Sequence, residues 1–226
     1  MENPWLSYDP AQNAPKFHEL DEAHVKEFNM AMHEPNYKLA EHLEPFPFTG
    51  NQKANVLVLL ANPGISEIQT DVSFRIHPEY AKQNLRCLRH QNAETYIEWI
   101  YSQDNPERES DWLIPRIRNL VKDTSINKVS RGLFLMNYHA YNSVSWYPIP
   151  FTFETQRYSF QLVSDAMKRD ALIIMRRNEL GWFTAIPGLS KYKNRVSFKS
   201  SRSVHISRPN LGDEAYEELL KRLESF

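Results

Sequence analysis

The stretch Val56 to Ser66, VLVLLANPGIS, constrains the fold more than any other part of the chain. Val56, Leu57, Val58, Leu59 and Leu60 form an unbroken apolar run. Such a run fits a central parallel strand that is covered on both faces. Asn62, Pro63 and Gly64 then stop it. Proline fixes φ and donates no ladder hydrogen bond; glycine permits positive φ and close approach of a ligand to the backbone. Ser66 followed by Gln69 has the spacing of a capping box, so a helical turn is expected to start there. In open α/β sheets, sites form where a strand meets a tight turn and a helix start. Asn62 is the first polar side chain at this strand's carboxyl end, and the chemistry is expected there.

Around this strand the chain alternates. Residues 1 to 45 read as an arm and helices packed on the core, with Trp5 and Tyr8 as anchors and helical composition from Leu20 to His42 interrupted at Pro35. Residues 46 to 226 read as one domain. Leu43 to Asn51, which holds Pro45, Pro47 and Gly50, reads as an extended lead-in loop. Helices are expected over Glu79 to Gln91, within residues 94 to 122 with a break near Asn105-Pro106, over Thr155 to Arg169 and over Glu179 to Ile186. Gly132 to Tyr138 and Ala171 to Met175 are further strands, and Arg195 to Ser207 holds a fourth strand and its exit. In the last helix, Asp213 to Phe226, residues Tyr216, Leu219, Leu220 and Leu223 follow i, i+3, i+4, i+7 spacing. Alternating strands and helices predict an α/β fold: a three-layer α/β/α sandwich with a mainly parallel, four-stranded central sheet.

Composition narrows the function. The 226 residues suffice for one α/β domain with a sizeable core. The formal net charge is −1, so nothing global marks a nucleic-acid binder, although a local basic face is compatible with it. Lys191, Lys193, Arg195, Lys199 and Arg202 form the one local basic run. The single cysteine, Cys87, excludes an intrachain disulfide and a four-cysteine zinc or iron–sulfur site, and fits a reducing, cytoplasmic home. No apolar run approaches the ~20 residues of a membrane span, so no membrane partner is expected. The start MENPWLSYDP does not read as a signal peptide.

Two strand exits stand out together: Ala61-Asn62-Pro63-Gly64-Ile65-Ser66, and His205-Ile206-Ser207-Arg208-Pro209-Asn210-Leu211-Gly212 just before the terminal helix. The pair resembles the uracil-DNA glycosylase superfamily. Its mismatch-specific branch has an Asn-Pro-Gly turn after the first strand, and several branches have a His-Pro-Ser-Pro loop near the C-terminus. The order of the motifs and an intervening strand ending in Asn137 are also similar. The resemblance spans roughly residues 50 to 226.

The resemblance implies DNA base excision by a monomeric enzyme. A nucleotide is flipped into a pocket, the sugar–base bond breaks through an oxocarbenium-like sugar, water attacks, and an abasic site remains, with no metal or other cofactor. Asn62 takes the place of the family's water-positioning group; an amide oxygen orients a water without acting as a strong base. His205 takes the place of the donor to the leaving base, which stabilises the charge that develops in the transition state. Asn137 resembles the asparagine that reads a pyrimidine edge, where one amide offers a donor and an acceptor together. Tyr138, Tyr141 and Phe74 are candidates to stack on the base. Gly64, Ser66 and Ser207 would meet phosphates. Arg208 would bind phosphate or fill the gap left by the base, with Leu211 as the rival wedge. Lys199 and Arg202 would track the backbone. Ile206 and Arg208 stand where the family has prolines, so this loop need not share its backbone.

Substrate is less constrained. The tight uracil pockets of the family's classical branch carry a tyrosine soon after the first motif; here the chain reads Gly64-Ile65-Ser66. The pocket therefore need not be restricted to unsubstituted uracil; some bacterial relatives in the family serve phage defence by removing bulky modified cytosines, so the resemblance implies a modified cytosine, such as glucosylated hydroxymethylcytosine in phage DNA, ahead of uracil. Two other classes stay open: a catalytically silent DNA-binding module of the same fold, and a small-nucleotide hydrolase. The hydrolase ranks last, because the chain has no P-loop and no Gly-rich dinucleotide fingerprint.

Overall fold

The structure, a computed structural model, describes every residue except 74, 75, 104, 106, 107, 109, 110 and 201. Among the described residues the chain builds one five-stranded sheet. The strands are β1 (Phe48–Gly50), β2 (Val56–Leu59), β3 (Leu133–Met136), β4 (Leu172–Met175) and β5 (Arg195–Ser197), in the spatial order β1-β3-β2-β4-β5. β2 to β5 run parallel, and β1 pairs antiparallel with β3. The expected four-stranded sheet is corrected by this fifth strand, which lies inside the stretch read as a lead-in loop. β1 is three residues long and prolines precede it, so alternation had no length over which to show.

Every residue of β2, β3 and β4 is buried, as their apolar runs require. Their side chains alternate between two cores. Leu57, Leu59, Phe134, Met136, Ile173 and Met175 face one; Val56, Val58, Leu133, Leu135, Leu172 and Ile174 face the other. The first core is covered by α1 (Glu22–Ala31), α6 (Glu154–Lys168) and α7 (Glu179–Ala185), through Val25, Phe28, Leu162, Val163 and Trp182. The second is covered mainly by α3 (Glu94–Tyr101), α4 (Ile114–Asp123), α5 (Ile126–Gly132) and α9 (Asp213–Glu224). The helix α2 (Pro78–Leu88) sends Cys87 to this second core and Leu88 to the first. The sheet thus has a helical layer on each face.

The arm joins the first core directly: Trp5 is fully buried and Tyr8 and Phe17 nearly so. Asn3 Nδ2 donates to the Leu88 carbonyl at 2.8 Å. The second half of Leu20 to His42 makes only one 3₁₀ turn, Pro35–Tyr37, because Pro35 admits a first turn but lacks an apolar stripe to extend it. The helix α5 was not apparent in the sequence; its seven residues are too few for a periodic pattern. Among the described residues no helix is long and apolar enough to cross a membrane.

Topology places the site. The connection from β2 to β3 crosses the face of the second core, and those from β3 to β4 and β4 to β5 cross the face of the first. Outgoing connections of the neighbours β2 and β4 therefore diverge to opposite sides. The crevice beyond their carboxyl ends is the switch point of the sheet, where ligands bind in open α/β folds.

Candidate functional site at the carboxyl edge of the sheet

Asn62 stands at this switch point. After β2 the ladder continues for two residues: Leu60 N–H donates to Met136 O at 2.8 Å, and Tyr138 N–H donates to Ala61 O at 2.9 Å. The turn then swings away. Asn62 Nδ2 donates to Ser143 Oγ at 2.8 Å and to the Pro63 carbonyl at 3.2 Å. Ser143 is fixed in turn, since its hydroxyl donates to Ser145 O at 3.0 Å and its amide to Pro63 O at 3.3 Å. With the nitrogen tied back, Oδ1 is left as an acceptor without a donor among the described contacts, on a half-buried residue. That is the polarity needed to orient a water. Gly64 does not use its freedom: its φ is not positive, and an added Cβ would meet nothing within 4 Å. Glycine here leaves open surface rather than enabling a strained turn. Ser66 caps a 3₁₀ turn, Glu67–Thr70, with its amide bonded to Gln69 Oε1 at 2.8 Å, as the capping-box spacing predicts.

Asn137 follows β3. Its amide still belongs to the ladder, donating to Pro47 O at 2.8 Å, so its side chain keeps the pleat of the strand and projects toward the second core. Nδ2 donates to Phe46 O at 2.8 Å, whereas Oδ1 is buried and has no partner. A buried carbonyl oxygen without a donor costs about 1–3 kcal/mol. Nearby, the Phe46 ring meets Trp112 edge-on at 6.0 Å.

His205 lies exposed on the exit of β5. Its Nδ1 contacts the Pro115 carbonyl at 2.7 Å, and Ile206 N–H donates to Arg116 O at 3.0 Å, so the loop is stitched to the first turn of α4. A carbonyl only accepts, so Nδ1 carries the proton. Nε2 is then an acceptor in the neutral ring and a donor in the cation. The expected donor role for His205 therefore belongs to the imidazolium form. Asn210, which sequence reasoning left unassigned, staples this loop: Nδ2 donates to Ser203 Oγ at 2.5 Å, His205 O at 2.8 Å and Ser207 Oγ at 3.2 Å.

Other candidates are redistributed. Tyr138 is half-buried among Trp146, Phe160 and Trp182, beside the first motif, and burial raises its hydroxyl above the ordinary range. Tyr141 is corrected to a core residue: it is buried between Phe17 and Phe153, and its hydroxyl donates to Asp21 Oδ2 at 2.6 Å, so its ring has no free face for a base. Leu211 is likewise corrected. It is buried in the second core and cannot reach into a duplex without unfolding its loop. Arg208 is exposed at the start of a short helix, α8 (Arg208–Leu211), but Glu217 holds it at 2.5 Å and Asp213 lies at 4.0 Å, so its charge is already answered. Phe74 lies outside the described residues. Ser207, Lys199 and Arg202 all sit on the exit of β5, with both cations exposed. The rest of the basic run does not join them. Lys193 and Arg195 are at the opposite end of β5, where Lys193 pairs with Asp170 and Arg195 bonds Ser190 O and Ser197 Oγ.

Sequence reasoning missed Arg176 and Arg177, the first two residues beyond β4. Arg176 N–H donates to Leu59 O at 3.1 Å across the floor of the switch point, and its Nε donates to Ser203 O at 3.3 Å. Arg116 comes from the first turn of α4, with its guanidinium 4.9 Å from the Trp112 ring centre. Two adjacent arginines at the end of an apolar run were the available signal. Two small surface clefts lie elsewhere: about 200 Å³ beside Asn51, Lys53, His90 and Glu94, and about 180 Å³ beside Ser7, Tyr8, Asp9, Gln12, His18 and Glu19. Neither touches the carboxyl edge of the sheet. Among the described residues no three His, Cys, Asp or Glu side chains gather as metal ligands would. Comparison with protein-family models, with curated proteins and with solved structures finds no match.

Proposed function

We propose that the chain is a DNA glycosylase of the uracil-DNA glycosylase type, which hydrolyses the bond between a flipped-out pyrimidine and its sugar. The observation that carries this reading is the pairing of two differently set asparagines at adjacent strand ends. Asn62 has its nitrogen anchored and its oxygen free. Asn137 has its nitrogen anchored and its oxygen buried without a partner. The first arrangement suits a water held for attack on a sugar. The second leaves an acceptor for the exocyclic amine of a cytosine or the ring N–H of a uracil, and satisfying it offsets a burial cost already present.

In this scheme the base leaves as an anion and does most of the work of bond cleavage, since the amide oxygen of Asn62 orients a water without acting as a strong base. His205, when its ring is cationic, donates from Nε2 to that anion. Tyr138 supplies half-buried aromatic surface beside the first motif. A modified cytosine is the preferred substrate and uracil the next, because the segment after Asn62 brings no aromatic side chain to exclude a 5-substituent.

The test is abasic-site formation on duplex and single-stranded DNA that carries uracil, hydroxymethylcytosine or glucosylated hydroxymethylcytosine. Alkali-labile cleavage is expected on at least one base, reduced at least 100-fold in Asn62→Ala, on the order of 3 kcal/mol of transition-state stabilisation. DNA binding without cleavage of any base would replace this reading with a silent binding module.

A further inference from the structure

Three arginines converge where β4, the exit of β5 and α4 meet. Arg176 is 9 % exposed, although it carries a full charge. Arg116 is half-buried, and its Nε is buried with no partner. Arg177, next to Arg176 in the chain and close enough to both to repel them, is exposed. Among the described residues none of the three makes an ion pair, whereas Arg157, Arg208 and Arg222 each sit against a carboxylate. Burial and mutual repulsion act on the inner two. The Arg116 guanidinium is brought down to about 10 by burial and then by Arg177, partly offset by Asp111. Arg176 is brought down to about 10 by burial and then by Arg116 and Arg177. Backbone carbonyls take one bond from each, from Arg116 to Trp112 O and from Arg176 to Ser203 O.

Charge of one sign gathered at a buried edge destabilises the fold unless an anion answers it. The guanidinium fork matches a tetrahedral oxyanion bidentately, and the first turn of α4 adds the positive end of a ten-residue helix. The place is the switch point itself, between Asn62 and the His205 loop. We propose that Arg116, Arg176 and Arg177 form a binding site for a phosphate group. Under the glycosylase reading, on which this assignment to DNA rests, that group is a phosphodiester flanking the flipped nucleotide. A free nucleotide would present the same chemistry as a phosphomonoester.

The experiment measures binding of a fluorescent 20-base-pair duplex, and separately of dCMP, over a range of salt. It compares wild type, Arg176→Gln, Arg177→Gln and Lys168→Gln, the last removing one charge from the opposite edge of the sheet. Each arginine variant is expected to weaken DNA binding about tenfold or more and to lower the slope of log K against log[salt] by ~1. Lys168→Gln is expected to stay within twofold. Arg177 is exposed, so its variant tests the site even if Arg176→Gln folds poorly. Arginine-dependent binding of dCMP but not DNA would keep the phosphate site and assign it to a nucleotide. Arginine-dependent DNA binding by a protein that excises no base would keep the site and remove the glycosylase reading. Base excision with unchanged DNA affinity in both arginine variants would overturn the phosphate site and leave the glycosylase reading standing.

Discussion

At the scale of single residues, the site depends on which end of each amide is held. Asn62 could turn either atom outward, and Ser143 decides the matter: its hydroxyl donates to Ser145 O, so toward Asn62 it presents a lone pair and selects Nδ2. Ser143→Ala removes that preference and leaves the amide one bond, to Pro63 O. Excision is expected to fall about fivefold in kcat, matching the ~1 kcal/mol of one neutral hydrogen bond, with KM little changed. Single-turnover kinetics on the cleaved base separate the two; a rise in KM at constant kcat would show that Ser143 binds substrate rather than orienting Asn62. Asn62, Asn137 and His205 were legible in the sequence because each is the polar residue that ends an apolar run or opens a recognisable loop. Ser143 was not, because its role depends on a bridge between two loops, Gly64 to Ser143, that no local pattern encodes.

At the scale of elements, the strand that sequence patterns did not reveal is the one that sets Asn137. β1 pairs Phe48 with Met136, and the residues just before it, Phe46 and Pro47, accept both Asn137 donors. Gly50 closes β1 with φ +93, and an added Cβ would lie 2.4 Å from the Leu133 carbonyl oxygen. A side chain there meets both an unfavourable φ and rigid backbone, so Gly50→Ala is expected to destabilise the fold by roughly 2 kcal/mol or more. Urea denaturation checks this; a change under 0.5 kcal/mol would mean that β1 detaches at little cost and cannot be what holds Asn137. The parallel strands were legible because burial on both faces writes a continuous apolar run. β1 was hidden by its length and its prolines; β5 was expected within Arg195 to Ser207, but its half-buried edge position leaves Arg195, Val196 and Ser197 without a pattern that marks where the strand ends.

At the scale of the whole molecule, a buried histidine and a half-buried one link fold stability to pH. His139 is stacked on Trp146 at 5.3 Å, and burial brings its ring down to about 3. His90 lies on Phe48 at 4.7 Å, and burial brings it down to about 4. The ordinary value is about 6.5, so below it the unfolded chain binds protons that the folded chain refuses. The stability that these neutral rings confer is therefore complete above pH ~6.5 and is lost as pH falls toward the folded values. Glu44 acts in the opposite sense, because burial raises its carboxyl and acidification relieves it. If the histidines dominate, wild type loses stability between pH 7 and 4.5, and His139→Gln loses less over the same interval, by on the order of 2 kcal/mol. Denaturation curves at the two pH values give both slopes, and equal slopes would mean that His139 takes up its proton within the fold. The position of His139 ties this to the site: in the chain it lies between Tyr138 and the loop that carries Ser143, so the acid that charges its ring is expected to loosen the segment holding Asn62 as well.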